Sequence, residues 1–302
     1  MSNKEQVCYL KLKKDILKEK KEYLLSLLGK CELCPKECGV DRLHKEKGEC
    51  KTGRWATISS FNPHFGEEPP LVGKDGSGTI FFTHCNLNCI FCQNFTISQL
   101  GEGEEISPKE LAGIILSLYD RKCHNINFVS PTHVIAQIVE ALVIAVNEGL
   151  DIPLVYNTGG YDKVQTLKIL ENIFDIYMPD MKYSGPDFGL EFSKVKDYPE
   201  INQMAVKEMH RQVGDLVLNK GVAMRGLVVR HLVLPHDFAG TKKVCEFISS
   251  KISKNTYLNI MDQYHPCYKA YSNSFLNRRI SQDEFIIALD YANQNKLYRL
   301  AG

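Results

Sequence analysis

From residue 79 onward, short apolar runs alternate with stretches whose apolar residues recur every three to four positions. The runs cover residues 79–83, 126–130, 153–157, 173–178, 227–234 and 256–261. Between them lie helical patterns at 108–122, 133–147, 161–172, 202–219 and 241–251, and a last one runs from 282 to 295. Strands that alternate with helices predict right-handed βαβ units on a parallel sheet. Six such units make a curved open sheet or an incomplete barrel, a partial (β/α)6 TIM-like architecture. In either case a functional site belongs at the carboxyl ends of the strands.

The first third of the chain reads differently. Residues 5–28 place Leu10, Ile16, Leu17, Leu24, Leu25 and Leu28 among Lys and Glu, the pattern of an amphipathic helix, and Gly29 stops it. Its basic face could suggest a membrane surface, but the helix is expected to dock on its own domain. Residues 30–78 carry four Cys, many Gly and Pro and little periodicity. They read as an irregular segment ordered by something other than a large core. The expected division is therefore 1–78, an N-terminal helix with a Cys-rich metal-binding segment, and 79–302, the α/β unit.

Composition narrows the function. With 44% hydrophobic and 24% charged residues among 302, the chain lacks the signature of disorder. A formal charge of +1 argues against a nucleic-acid partner. No apolar run approaches the roughly 18 residues that span a bilayer. Residues 1–30 lack the compact apolar stretch of a secretion signal. The expectation is a cytoplasmic protein with no membrane partner. Eleven cysteines change this picture, because seven of them fall between Cys31 and Cys92. In a reducing compartment such clustering points to a metal or cluster rather than to disulfides. Cys8, Cys123, Cys245 and Cys267 are scattered and read as buried, inert thiols.

Directly after the first predicted strand comes Cys85-x3-Cys89-x2-Cys92, with Phe91 before the third cysteine. Three thiolates so close in sequence can bind three irons of a cubane and leave the fourth iron open, which is what chemistry rather than structure requires. Zinc would need a fourth ligand. His84 is adjacent to Cys85, an awkward geometry for that role.

This motif resembles that of the radical S-adenosylmethionine superfamily. More narrowly, segments 76–82, 85–98, 125–133, 155–161, 175–183, 230–235 and 259–264 resemble PflX-type relatives of pyruvate formate-lyase activating enzyme. The resemblance implies a [4Fe-4S] cluster on Cys85, Cys89 and Cys92 as the catalytic centre, with S-adenosylmethionine on the open iron. It implies a radical SAM oxidoreductase that abstracts hydrogen from its substrate, in the activating enzymes a glycyl residue of a partner protein. A small molecule or another protein residue is the alternative substrate, and flavodoxin or ferredoxin the implied electron donor. A non-catalytic iron–sulfur or zinc scaffold is the reading from another class.

The same resemblance distributes cofactor contacts. The superfamily's Gly-Gly-Glu is replaced here by Ser130-Pro131-Thr132-His133, where the Ser130 backbone and the Thr132 hydroxyl are the candidate acceptors. His133 is either a weaker candidate or the solvent-facing first residue of a helix. Asn157, Thr158, Met178 and Asp180 match positions that surround a cation beside the cofactor carboxylate in the activating enzyme, with Asn157 in place of an aspartate. Lys182 accompanies Asp180. Arg230, in an apolar strand, must find a carboxylate, either that of the cofactor or that of an acid such as Asp180. His231 alternates to the other face and reads as packing. After the sixth strand, His265 is the adenosine-side candidate, with Gln263 and Tyr264 beside it. Residues 209–212 read as a solvated helix face.

Upstream, Cys31-x2-Cys34-x3-Cys38 and Cys50 place four thiols within twenty residues. They suit a closed zinc site or an auxiliary iron–sulfur cluster equally well.

Overall fold

Residues 7–301 are described by the computed structural model. Its nine strands are β1 (Ala56–His64), β2 (Ser77–Phe82), β3 (Glu104–Ile106), β4 (Ile126–Val129), β5 (Leu154–Thr158), β6 (Ile176–Pro179), β7 (Val217–Asn219), β8 (Val222–Leu232) and β9 (Tyr257–Met261). They form one mixed, unclosed sheet. Six strands, β2, β4, β5, β6, β8 and β9, are parallel neighbours in chain order. Antiparallel β1 and β3 extend one edge, and β7 pairs with β8.

The alternation of side chains along the parallel strands sorts them into two faces. Ile80, Phe82, Phe128, Tyr156, Tyr177, Val229 and Ile260 join the main core, shared with the helices Pro108–Asp120, Ile135–Asn147, Tyr198–Val213 and Gln282–Gln294. Val155, Ile176, Met178 and Val228 face the other way, into a smaller apolar cluster with Leu71, Leu216 and Ala223. That second face turns polar towards the carboxyl ends, where Asn157, Asp180 and Arg230 lie.

Several elements depart from the sequence expectation. The segment 161–172 yields only a short helix, Val164–Ile169. Asp162 is buried in a hydrogen-bond network, and Asn172 leaves the helix at φ 64°. The helix expected at 202–219 starts earlier, at Tyr198 with Pro199 in its first turn, and ends at Val213 before Gly214 (φ 71°). Residues 217–219 instead form a hairpin with β8 through Lys220 and Gly221, both at positive φ, the backbone a two-residue hairpin turn favours. The helix Thr241–Phe247 continues as one π-helical turn, Ile248–Ile252.

The amphipathic helix expected over 5–28 is Lys14–Ser26, after a turn at Tyr9–Lys11; residues 5 and 6 lie outside the described residues. Leu17, Leu24 and Leu28 pack into the main core, so the helix docks on its own chain. Residues 30–78 are not irregular throughout, because β1 occupies 56–64. Its alternation is blurred by a register shift between Ile58 and Ser60 and by Pro63. Among the described residues no helix is long and apolar enough to cross a membrane.

Candidate active site

Cys85, Cys89 and Cys92 sit on the loop that leaves the carboxyl end of β2, and all three line one cavity of about 220 Å³. Opposite them the same cavity is lined by Ser130, Asn157, Thr158, Asp180, Lys182 and Arg230, each at or just past the end of a parallel strand. A larger cleft of about 790 Å³ lies at the other end of the sheet, between Tyr119, His124 and Val222. There it is the amino ends of the strands that face solvent, so the smaller cavity is the functional candidate.

The loop is held from several sides. The Asn86 side-chain amide donates to the Tyr161 carbonyl (2.7 Å), the Ile90 amide to Phe192 (2.8 Å) and the Asn88 amide to Ser193 (3.3 Å). Phe91 is buried edge-on against Tyr183, Phe192 and Tyr264. Its aromatic ring therefore anchors the loop in a second core, below the thiols. Cys89 Sγ lies 2.9 Å from the Ser193 hydroxyl and Cys92 Sγ 3.1 Å from that of Ser98. His84 adopts φ 72° and packs its imidazole against Gly101. Burial pushes the Cys85 and Cys89 thiols up, to about 12 and about 11. Among the described residues no three Cys, His, Asp or Glu side chains close on a single-ion position. The three thiols instead face a common cavity, as separate corners of a multi-iron cluster require.

Charged residues converge at the strand ends. Arg230 Nε donates to Asp180 Oδ1 (2.9 Å) and its Nη2 to Asn157 Oδ1 (2.8 Å). Lys182 Nζ donates to Asp180 Oδ2 (2.6 Å). Burial pushes the Asp180 carboxyl up, but Arg230 and Lys182 outweigh it and hold Asp180 below the usual carboxylate range. Burial likewise opposes the Lys182 ammonium, and Asp180 more than compensates, with Cys89 adding to the effect. The carboxylate that Arg230 needs is thus supplied by Asp180, with Glu68 at 4.0 Å.

Other predicted residues are placed less directly. Ser130 lines the cavity at φ 59°, a strained conformation for a residue with a Cβ. Thr132 does not line it. Its hydroxyl donates to Asp162 Oδ1 (2.7 Å), beside Tyr156 (2.9 Å), while Thr158 holds Oδ2 (2.7 Å). His133 is buried rather than solvent-facing, with Nε2 on the Thr83 carbonyl (3.0 Å), and burial pushes its pKa down to about 3. His231 donates Nδ1–H to the Met181 carbonyl and accepts from Thr241, a packing role. Tyr264 is buried and donates to Leu276. His265 sits at the rim, 3.5 Å from Gln93, and Gln263 lines the cavity. Met178 is in the apolar cluster of the second sheet face.

Three groups escaped the sequence reading. Asp162 gathers Thr132, Thr158 and Tyr156. Glu68 is buried and accepts from Asn259 (3.1 Å), and its Oε2 has no partner. Its neighbour Glu67 is half-buried, and its pKa is raised to about 7, chiefly by burial and against the pull of Arg230. Only the pair Glu67-Glu68 before two prolines marked this segment, and nothing in that pattern points inward.

Comparison with known proteins now bears on this geometry. Residues 79–232 match the model of the radical SAM superfamily, just over half of the chain. The chain belongs to the radical SAM superfamily. It is 33% identical over 296 residues to "Uncharacterized protein MJ0674" of Methanocaldococcus jannaschii, covering 95% of this chain and 81% of that protein. The structure resembles a radical SAM methyltransferase from Sphaerobacter thermophilus (TM-score 0.51, 13% identity), over 72% of this chain and 63% of that one. It also resembles Streptococcus suis SuiB bound to S-adenosylmethionine (TM-score 0.50, 13% identity), over 72% and 47%. At such identities the likeness shows the fold alone. The chain spans less than two thirds of the length of these solved structures. Members of this superfamily are enzymes that use S-adenosylmethionine and a [4Fe-4S] cluster. Three converging thiols with a lysine beside them suit that group.

Proposed function

We propose that the chain is a radical SAM enzyme of the activating-enzyme kind, abstracting hydrogen from a substrate that enters the cavity at the strand ends. In this reading the sheet is a partial (β/α)6 barrel, with its helices on one face and the site at its mouth. When bound at the three thiols, a [4Fe-4S] cluster with S-adenosylmethionine supplies reductive cleavage to methionine and a 5′-deoxyadenosyl radical. Cys85, Cys89 and Cys92 hold the cluster. Asp180, Lys182 and Arg230 fix the charge pattern that meets the cofactor's amino-acid end, and Ser130 presents backbone to its ammonium. Phe91 and its aromatic neighbours keep water from beneath the loop. Electrons come from a flavodoxin- or ferredoxin-like donor.

The observation that carries this reading is the lining of one cavity by the three thiols and the Asp180–Lys182–Arg230 group. The substrate proposed is a glycyl residue of a partner protein, and its support is the resemblance of the strand-end segments to the activating enzyme. Anaerobic reconstitution with iron and sulfide, then reduction, tests the first part. The wild-type chain and Cys245→Ala should release 5′-deoxyadenosine, and Cys89→Ala should release none. Equal release from both variants rejects the cluster assignment. Transfer of deuterium from a Cα-labelled glycyl protein into 5′-deoxyadenosine tests the second part, and label from a small molecule instead would reject it.

A further inference from the structure

A second group of thiols lies outside this site. Cys31, Cys34 and Cys50 are buried and Cys38 is half-buried. All belong to residues 31–55, which hold no regular element beyond one short turn at Arg42–His44. Two backbone turns present them. In the first, the Glu37 amide donates to the Cys34 carbonyl (3.1 Å) and the Gly39 amide to that of Cys31 (3.1 Å). In the second, the Lys51 amide donates to Gly48 (2.8 Å), and the Thr52 hydroxyl to the Cys50 carbonyl (3.2 Å). The turns meet at Gly48. A Cβ there would lie 2.9 Å from Cys38 Sγ and 3.6 Å from Cys50 Sγ. Cys31, Cys38 and Cys50 are all within Coulombic reach of Cys34.

Arg42 gives an independent sign that this group carries negative charge. Its side chain is 1% exposed. Nε donates to the Gly53 carbonyl (2.9 Å), and Nη1 donates to that of His133 (2.9 Å) and points at Cys31 Sγ (3.6 Å). Nη2 has no partner. Among the described residues no carboxylate reaches Arg42 within salt-bridge distance. A guanidinium is not buried without a counter-charge unless something else supplies it. Four thiolates around one zinc, or around one [4Fe-4S] cluster, leave a net dianion beside it.

We propose that Cys31, Cys34, Cys38 and Cys50 form a closed four-thiolate metal centre whose charge neutralises Arg42. With all four positions taken by protein, it has no open coordination site and serves structure. It fastens the segment to the loop after β5 and the short helix that follows, where Lys163 donates to the Glu32 carbonyl (3.2 Å) and Thr166 to that of Leu33 (2.8 Å). That loop also carries Tyr161, the partner of Asn86 in the radical-site loop. Among the described residues the four thiols do not close on a single-ion position, and side-chain rotation about χ1 is the adjustment that binding asks of them.

Metal analysis decides this without an activity assay. A variant with Cys85, Cys89 and Cys92 all replaced by Ala, purified anaerobically, should retain about one zinc, or about four irons with matching sulfide, per chain. Either metal supports the centre, and the element found identifies its kind. Adding Cys31→Ser and Cys50→Ser should bring that metal down at least tenfold. Retention of the metal in the five-fold variant would overturn the ligand assignment. A triple variant that holds neither zinc nor iron, while its circular dichroism matches the wild type, would overturn the centre itself.

Discussion

Arg230 bonds Asp180 and Asn157 at once, and Asp180 in turn holds Lys182. Breaking such a partly buried group from one side leaves a carboxylate or a guanidinium without compensation. Arg230→Leu should therefore cost roughly 3 kcal/mol or more in urea unfolding, with Arg230→Lys recovering part of it. Glu67 makes a pH-dependent prediction. Its pKa rises from 4.5 to about 7 in the folded chain, so the folded state holds more protons than the unfolded between those values. Stability from this residue is greatest at low pH and is lost as pH rises through that window. Glu67→Gln should raise the melting temperature at pH 8 by roughly 2 °C or more and give no gain at pH 5. Equal gains at both values would refute the assignment. Cysteine spacing alone made the three thiols legible, because the proposed ligands lie within eight residues of one another. Glu68 and Ser193 were not legible, because each acquires its role from partners far off in sequence.

Among the elements, the six parallel strands were legible because strands covered on both faces read as near-continuous apolar runs. The antiparallel strands β1, β3 and β7 were not, since they are short or polar and owe their form to pairing. Helix ends were misread where a network or a turn competes with the periodic pattern, as at Asp162 and Gly214. Gly160 shows how tightly the loop after β5 is fitted. It stands at φ 79°, and a Cβ there would collide with the Asp180 carbonyl and the Asn202 amide. Those two groups are themselves hydrogen-bonded (2.9 Å), and Asn202 also donates to the Gly160 carbonyl (2.9 Å). Gly160→Ala should cost roughly 3 kcal/mol or more, from backbone strain added to the broken bonds. Thermal unfolding checks this, with Gly149→Ala as the comparison at an equally left-handed but open position.

Across the whole molecule, residues far apart in the chain meet around one loop. The segment after β6 folds back over it, so that the helix Pro186–Ser193 delivers its last residue to Cys89. The Ser193 hydroxyl is shared with Tyr183 (2.7 Å). A hydroxyl donated to a ligating sulfur favours the more negative, reduced form of a cluster. One such bond, at about 1 kcal/mol, corresponds to a few tens of millivolts for a single electron. Ser193→Ala should make the midpoint potential more negative by that amount in a redox titration followed by electron paramagnetic resonance. An unchanged midpoint would show that the hydroxyl does not tune the cluster. Under the proposed cluster assignment, the choice of reductant would rest partly on a helix that never enters the reaction: were its terminal alcohol lost, carriers of marginal driving force would fall silent while stronger ones still worked.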